Sequence, residues 1–166
     1  MDMAKDKVKV ALVCGVSGSG KTTYARSLQE REGYVRLSLD ELAWEKFGAA
    51  FADMHGPDQG TELRALQPEL RRRMERAIGE GKSVAVDFPM CKRSVRDEFR
   101  SAAAEAGADV ELIFMDTPLD ELRRRLTARK FTDANSLPVS SEMVGRFFTG
   151  FQRPAPDENA VVFTAD

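Results

Sequence analysis

The chain has 166 residues, 42% hydrophobic and 31% charged, a balance typical of one folded domain rather than of two cores or a disordered segment. Its 25 basic and 27 acidic residues leave a net charge of −2, which excludes a strongly basic field and argues against a nucleic-acid partner. The two cysteines and the short apolar runs argue against a disulfide scaffold, a secretory signal and a membrane span, so we expect a cytoplasmic protein.

In chain order, the first half of the sequence predicts alternating strands and helices. Apolar residues become continuous toward the end of 8–14, which is typical of a strand covered on both faces. After this strand we expect a glycine-rich turn (15–20), a helix (21–30), a second strand (34–39) and a short helix (40–47). Four glycine or proline residues predict a loop over 48–61, and apolar residues at helical spacing predict a helix from Leu63 to Ile78.

The second half continues the alternation. We expect a third strand (83–87), a helix (94–106), a fourth strand (110–115) and a strongly basic helix (118–130). A loop (130–139), a further helix (140–151) and a last strand (160–164) complete the chain. Five strands alternating with helices predict an α/β fold with a parallel sheet. Ligands bind beyond the carboxyl ends of such strands, where the sequence places Gly15, Asp40, Asp87 and Asp116.

The strongest motif is Gly-Val-Ser-Gly-Ser-Gly-Lys-Thr at 15–22, which matches the phosphate-binding pattern G-x-x-x-x-G-K-[ST] at every position. Its glycines let successive N–H groups face one anion, and the following helix adds the positive end of its dipole. Lys21 can reach the β- and γ-phosphates, and the Thr22 hydroxyl can bind Mg²⁺. The residues that we expect to bind a nucleoside triphosphate here are Gly15, Ser17, Gly18, Ser19, Gly20, Lys21, Thr22 and Thr23.

Several classes of nucleotide-binding protein are excluded by what the sequence lacks. It contains no Asn-Lys-x-Asp string to read guanine and no Ser-Gly-Gly signature of the ABC-type ATPases, and motor ATPases generally need a longer chain. A compact phosphotransferase remains, in which the phosphate-binding loop, a lid and an acceptor pocket share one domain.

At this point the chain resembles the small P-loop kinases of the adenylate-kinase-like group. It is most similar to the branch with chloramphenicol phosphotransferase, zeta-toxin kinases and the polynucleotide 5′-kinase domain. Besides the phosphate-binding loop, the resemblance rests on the segments 38–41, 125–129 and 151–158 and on Asp87. It implies a three-layer αβα sandwich in a single domain over 1–166, with a helical lid around 118–150. It also implies ATP and Mg²⁺ as cofactors.

Two carboxylates are candidates for the chemistry. Asp40 follows the second predicted strand, where it could orient or deprotonate an acceptor hydroxyl, and the resemblance implies that catalytic role; the alternative is that Asp40 caps the next helix. Asp87 follows the third strand and is typical of a carboxylate that holds Mg²⁺, with an acceptor-binding role or a turn residue as the alternatives.

The basic helix supplies two further candidates. Arg125 and Arg129 are four residues apart and therefore share a helix face. The resemblance implies that Arg125 lies on the adenine and that Arg129 reaches the transferring phosphate as a catalytic residue. A solvated basic face is the alternative, and it suffices for Arg123 and Arg124.

The remaining polar and aromatic candidates carry weaker signals. Asp116 is expected to cap a helix, and either Arg93 or Arg96 could hold an acceptor or a phosphate. A solvated helix face explains the arginines at 71–73 and 76. His55 has no cluster of metal ligands around it, and Cys14 is expected to be a small buried residue. The aromatic residues that could line an acceptor pocket or simply pack are Trp44, Phe47 and Phe51.

The function that these observations favour is ATP-dependent phosphorylation of a small-molecule hydroxyl, on an antibiotic, a nucleoside or a sugar-like acceptor. Two alternatives stay open. One is a 5′-hydroxyl polynucleotide kinase, which the acidic net charge disfavours. The other is a non-catalytic ATP-binding module that regulates a partner.

Overall fold

A computed structural model describes residues 7–48, 50, 57–128 and 140–164, the side chains of 57–60 excepted. Its sheet has five parallel strands in the order β2-β3-β1-β4-β5. In chain order these are β1 (Lys9–Cys14), β2 (Val35–Ser38), β3 (Val84–Asp87), β4 (Asp109–Asp116) and β5 (Val161–Thr164). The α/β class and the five-stranded parallel sheet predicted from the sequence are confirmed.

The helices alternate with the strands. They are α1 (Lys21–Glu32), α2 (Leu39–Phe47), α3 (Pro57–Gly79), α4 (Arg93–Glu105), α5 (Leu119–Thr127) and α6 (Ser141–Gly150), and a short 3₁₀ turn, Pro156–Glu158, precedes β5. Within the described residues, no helix combines the length and the apolarity that a membrane span would need.

The hydrophobic core lies on both faces of the sheet. On one face, Ala25 of α1 packs against a small cluster of sheet residues that includes Val13 and Ile113. On the other face, the larger cluster joins the sheet to the remaining helices, with Met74 of α3, Phe99 of α4 and Leu126 of α5 among its buried members. The central strand β1 is buried along nearly its whole length, as its apolar run predicts.

The predicted loop over 48–61 is wrong in its described part, because α3 already begins at Pro57. Proline is favoured in the first turn of a helix, where its missing N–H group costs no hydrogen bond. Gly60 lies inside the same helix. Two of the four residues that predicted the loop, Pro57 and Gly60, therefore belong to the start of a long helix.

Candidate active site

The phosphate-binding loop is so tightly packed that a side chain at two of its glycines would clash with neighbouring atoms. A Cβ atom added at Gly15 would lie 2.6 Å from Ser19 Oγ and 2.7 Å from the Met115 carbonyl oxygen. At Gly18, where φ is +86°, a Cβ atom would lie 2.8 Å from Cγ of Leu126. The loop is thus held between the end of β4 and helix α5, and its geometry fits a close approach of phosphate to backbone.

The first turn of α1 faces the cavity beside this loop. Its N-cap is Gly20, and no side chain caps the helix there. Lys21 is buried, with 7% of its surface exposed, and its Nζ donates to the Val16 carbonyl at 3.2 Å. The ammonium group therefore lies over the loop, where the backbone N–H groups and the helix dipole also favour an anion.

Thr22 and Asp87 form the candidate metal site. Thr22 Oγ1 donates to Asp87 Oδ2 at 2.9 Å, and Asp87 is 4% exposed. The described residues contain no cluster of three or more His, Cys, Asp or Glu side chains placed to hold a metal. A hydroxyl and a carboxylate nevertheless fit Mg²⁺, because this ion prefers oxygen donors and takes most of its ligands from water and substrate phosphates.

A cavity of about 490 Å³ joins these groups. Its lining comprises residues 17–23 of the loop and α1, then Asp40, Asp87, Phe88, Pro89, Met115, Arg125, Phe163 and Thr164. The structure therefore brings together most of the residues predicted from the sequence. Arg129 lies outside the described residues, and so do His55 and Phe51.

Asp40 is the second residue of α2 and lines the cavity. The N-cap of α2 is Ser38, whose hydroxyl accepts from the Glu41 N–H at 3.2 Å. The alternative that Asp40 caps this helix is therefore wrong, and the catalytic role of Asp40 stays a prediction.

Arg125 reaches from α5 to the loop. Its Nε donates to Glu121 Oε1 at 2.8 Å, and its Nη1 donates to the Gly18 carbonyl at 3.1 Å. Hydrogen bonds from Arg124 and Arg125 lower the pKa of Glu121 to about 2, so this carboxylate stays charged at neutral pH. Thr117, just before α5, donates to the Ser19 carbonyl at 3.0 Å. Helix α5 is thus tied directly to the phosphate-binding loop.

One functional candidate was missed from the sequence. Arg36 of β2 has a side chain only 8% exposed, and its Nη1 donates to Asp87 Oδ2 at 3.3 Å. Its Nη2 donates to Glu41. The available signal was a charged residue inside the predicted strand 34–39, because a charged group that is buried there requires a partner.

At this edge, the expectation that Asp116 caps a helix is wrong, and Arg96 is excluded as a group that holds an acceptor. Asp116 does not cap α5; its carboxylate accepts two hydrogen bonds from Arg153, the shorter at 2.6 Å. Arg96 cannot hold an acceptor, because it is fully buried and its Nε donates to Glu158 Oε1 at 2.8 Å. Arg93 pairs with Asp157, with Nη1 at 2.9 Å from Oδ1.

Cys14 and two of the aromatic residues, Trp44 and Phe47, lie outside the lining of the described cavity. Cys14 is buried, as predicted, and burial raises the pKa of its thiol to about 12. Phe47 is partly buried against the core, and Trp44 is half-buried on the same helix. Neither ring lines the described cavity.

Comparison with known proteins gives one family and a consistent fold. The sequence profile of the family described as "AAA domain" matches residues 10–154. A sugar kinase from Janibacter sp. HTCC2649 is 24% identical, with a TM-score of 0.69 over 95% of this chain and 85% of that one. The APS kinase of Mycobacterium tuberculosis, solved with AMPPNP and APS, is 22% identical, with a TM-score of 0.64 over 96% and 90%.

A third similar chain comes from the Pnkp1/Rnl/Hen1 RNA repair complex. It is 19% identical, with a TM-score of 0.65 over 90% of this chain but only 45% of that one. At these identities the similarity establishes a shared fold.

Proposed function

Because the chain belongs to the AAA-domain family and has the fold of the small P-loop kinases, we propose that it is an ATP-dependent kinase of a small-molecule hydroxyl. The observation that carries this proposal is the shared cavity. Lys21, a cation suited to the β- and γ-phosphates, and Asp40, a carboxylate suited to an acceptor hydroxyl, line the same space of about 490 Å³.

In the proposed reaction, the acceptor oxygen attacks the γ-phosphorus of ATP. The bond from the γ-phosphorus to the bridging oxygen breaks, ADP leaves, and Asp40 takes the proton of the acceptor hydroxyl as the new bond forms. Lys21 and the N–H groups of the loop stabilise the negative charge on the phosphates. Thr22 and Asp87 would hold Mg²⁺, which supplies further charge neutralisation when bound.

The basic helix completes the proposed donor side. Arg125 is held by Glu121 and Gly18 at the cavity wall, where its guanidinium plane can lie against the adenine. We place Arg129 at the transferring phosphate, with closure of the lid around 118–150 bringing it there.

For the acceptor, we propose a hydroxylated small molecule such as a sugar, a nucleoside or an antibiotic. The similarity to a sugar kinase supports a sugar-like acceptor. The similarity to a chain of an RNA repair complex supports the alternative of a 5′-hydroxyl polynucleotide, against which the net charge of −2 argues.

A substrate screen tests the proposal. The purified protein is incubated with ATP, Mg²⁺ and pools of sugars, nucleosides, hydroxylated antibiotics and 5′-hydroxyl oligonucleotides, and mass spectrometry looks for the gain of one phosphate. We expect a small-molecule product that disappears with Lys21→Ala. Phosphorylation of the oligonucleotide alone, with binding that weakens steeply as salt rises, would favour the polynucleotide kinase. Tight ATP binding with no product across the panel would favour a regulatory module.

A further inference from the structure

Arg36 occupies a buried position between two carboxylates. Its side chain is 8% exposed, with Nη1 at 3.3 Å from Asp87 Oδ2 and Nη2 bonded to Glu41 Oε1. Its Nε is buried and has no hydrogen-bond partner within the described part of the chain. A guanidinium held this way is costly to bury, so its two carboxylate partners determine where it lies.

The partner oxygen on Asp87 is the one that the candidate metal site uses. Asp87 Oδ2 accepts both from Thr22 Oγ1, at 2.9 Å, and from Arg36 Nη1. A guanidinium beside a carboxylate neutralises its charge and repels a divalent cation. Arg36 would therefore compete with a Mg²⁺ ion held by the same carboxylate.

The second carboxylate that binds Arg36 is Glu41, which lies on a different element from Asp87. Glu41 lies next to Asp40 in α2, and its side chain is 41% exposed. Each hydrogen bond that the guanidinium makes to Glu41 limits how closely it can approach Asp87. Asp87 and Glu41 thus share the guanidinium of Arg36. Asp87 belongs to the candidate metal site, and Glu41 belongs to the helix that carries the candidate base Asp40.

We propose that Arg36 is a positioning residue that sets the Mg²⁺ concentration at which this site binds nucleotide. Glu41 limits this effect because its hydrogen bond holds the guanidinium away from Asp87. The proposal rests on the proposed function, because it takes Asp87 as a group that holds Mg²⁺. It gives the two residues opposite effects: loss of Arg36 lowers the Mg²⁺ requirement, and loss of the Glu41 charge raises it.

The test is the Mg²⁺ dependence of nucleotide binding, which needs no acceptor. Calorimetry measures the affinity for a non-hydrolysable ATP analogue across a series of MgCl₂ concentrations. We expect the half-saturating Mg²⁺ concentration to fall about threefold or more with Arg36→Met and to rise with Glu41→Gln. Arg71→Met is the matched control, because Arg71 of α3 pairs with Glu75 of the same helix and with Glu98 of α4, and does not line the cavity; it should leave the value unchanged.

A merely structural role for Arg36 predicts a different pattern. Damage to the site would weaken nucleotide binding in both variants, so a shift in the same direction, or no shift, overturns the proposal. If thermal unfolding shows that Arg36→Met does not fold, Glu41→Gln decides by itself, and an unchanged Mg²⁺ requirement in that variant is the contrary result. Glu41 is partly exposed, so this second variant should fold.

The outcome is separable from that of the proposed function. A wild-type protein that binds the analogue with a Mg²⁺ requirement, but phosphorylates no acceptor, contradicts the kinase and leaves the Arg36 test intact. If the protein is a kinase and both variants have the same Mg²⁺ requirement as wild type, only the role of Arg36 is contradicted.

Discussion

The Thr22 hydroxyl donates to the Asp87 carboxylate at 2.9 Å, so the first turn of α1 is joined to the last residue of β3. These residues are far apart in the sequence and meet because β1 and β3 are neighbours in the sheet, with Val13 in register with Asp87. The strand order therefore builds the candidate metal site, as the rule of ligands at the carboxyl edge of a parallel sheet leads one to expect.

Removing this hydroxyl tests the metal site. Thr22→Val keeps the shape of the side chain and removes the oxygen, so we expect phosphorylation to fall at least about tenfold at every Mg²⁺ concentration. Thr22→Ser, which keeps the hydroxyl, should retain most of the activity. The measurement is a Mg²⁺ titration of the initial rate, and full wild-type activity in excess chelator would contradict the role of Mg²⁺.

The packing of Gly18 against Leu126 gives a second prediction. Gly18→Ala places a Cβ atom 2.8 Å from Leu126 Cγ at a φ of +86°, so we expect overpacking to cost about 1–3 kcal/mol in addition to the backbone strain, together with weaker ATP binding. Gly33→Ala is the control, because Gly33 also has a positive φ, +72°, but no atom lies within 4 Å of its added Cβ. That variant should lose only about 1–2 kcal/mol, for its backbone strain, and bind ATP normally. Equal ATP affinity in the two variants would contradict the tight contact between loop and helix.

The buried pair of Arg96 and Glu158 predicts a pH-dependent stability. Burial acts to raise the pKa of Glu158, but hydrogen bonds from Arg96 and from the Ala155 N–H outweigh it and hold this pKa below its ordinary value of 4.5. The pair therefore stabilises the fold at neutral pH, and the stabilisation is lost as the pH falls through the lowered pKa. Glu158→Gln should cost about 3 kcal/mol at neutral pH, because it leaves a buried guanidinium unpaired.

Urea unfolding at a series of pH values measures this effect. The difference in unfolding free energy between wild type and Glu158→Gln should be full near neutral pH and shrink below about pH 4. A difference that stays constant down to strongly acidic pH would show that the charge of Glu158 is not what stabilises the fold.

Much of this architecture could be predicted from the sequence because its signals are local. The apolar run at 8–14 and the loop at 15–22 each specify their own structure, and the fold that the resemblance to small P-loop kinases implies is confirmed by the similar solved structures. By contrast, Asp116 pairs with Arg153 across 37 residues, and no local pattern could reveal that contact. Arg36 is a charge within a predicted strand, but its partner Asp87 lies on the neighbouring strand and could not be identified from the local sequence.

The tetrapeptide Leu-Asp-Glu-Leu, which occurs twice, shows most clearly what a local sequence cannot predict. It begins α2, with Asp40, and it also begins α5, with Asp120. Asp40 lines the cavity, whereas Asp120 is exposed to solvent. Identical local sequences thus have different surroundings, and only the tertiary structure distinguishes a candidate base from a surface charge.

Arg129 remains a prediction from the sequence, since it lies beyond the described end of α5. If it reaches the phosphate only in the closed lid, Arg129→Ala should lower kcat by about tenfold or more while ATP binding changes little. Arg146→Ala, which removes an exposed arginine of α6 paired with Glu142, should leave both quantities unchanged. A loss confined to ATP affinity would place Arg129 on the bound nucleotide rather than in the chemical step.

The most direct test of the kinase is the charge on Asp40. Asp40→Asn keeps the size of the side chain, and it leaves the cap of α2 intact because Ser38 provides that cap. Asp120→Asn makes the same change at the second residue of α5 and serves as the matched control. The measurement is the rate of phosphate transfer to the acceptor found by the screen, with ATP affinity measured in parallel. We predict that Asp40→Asn binds ATP normally and loses about 100-fold or more in rate, while Asp120→Asn matches wild type; an Asp40→Asn protein that phosphorylates at the wild-type rate would contradict the proposed mechanism.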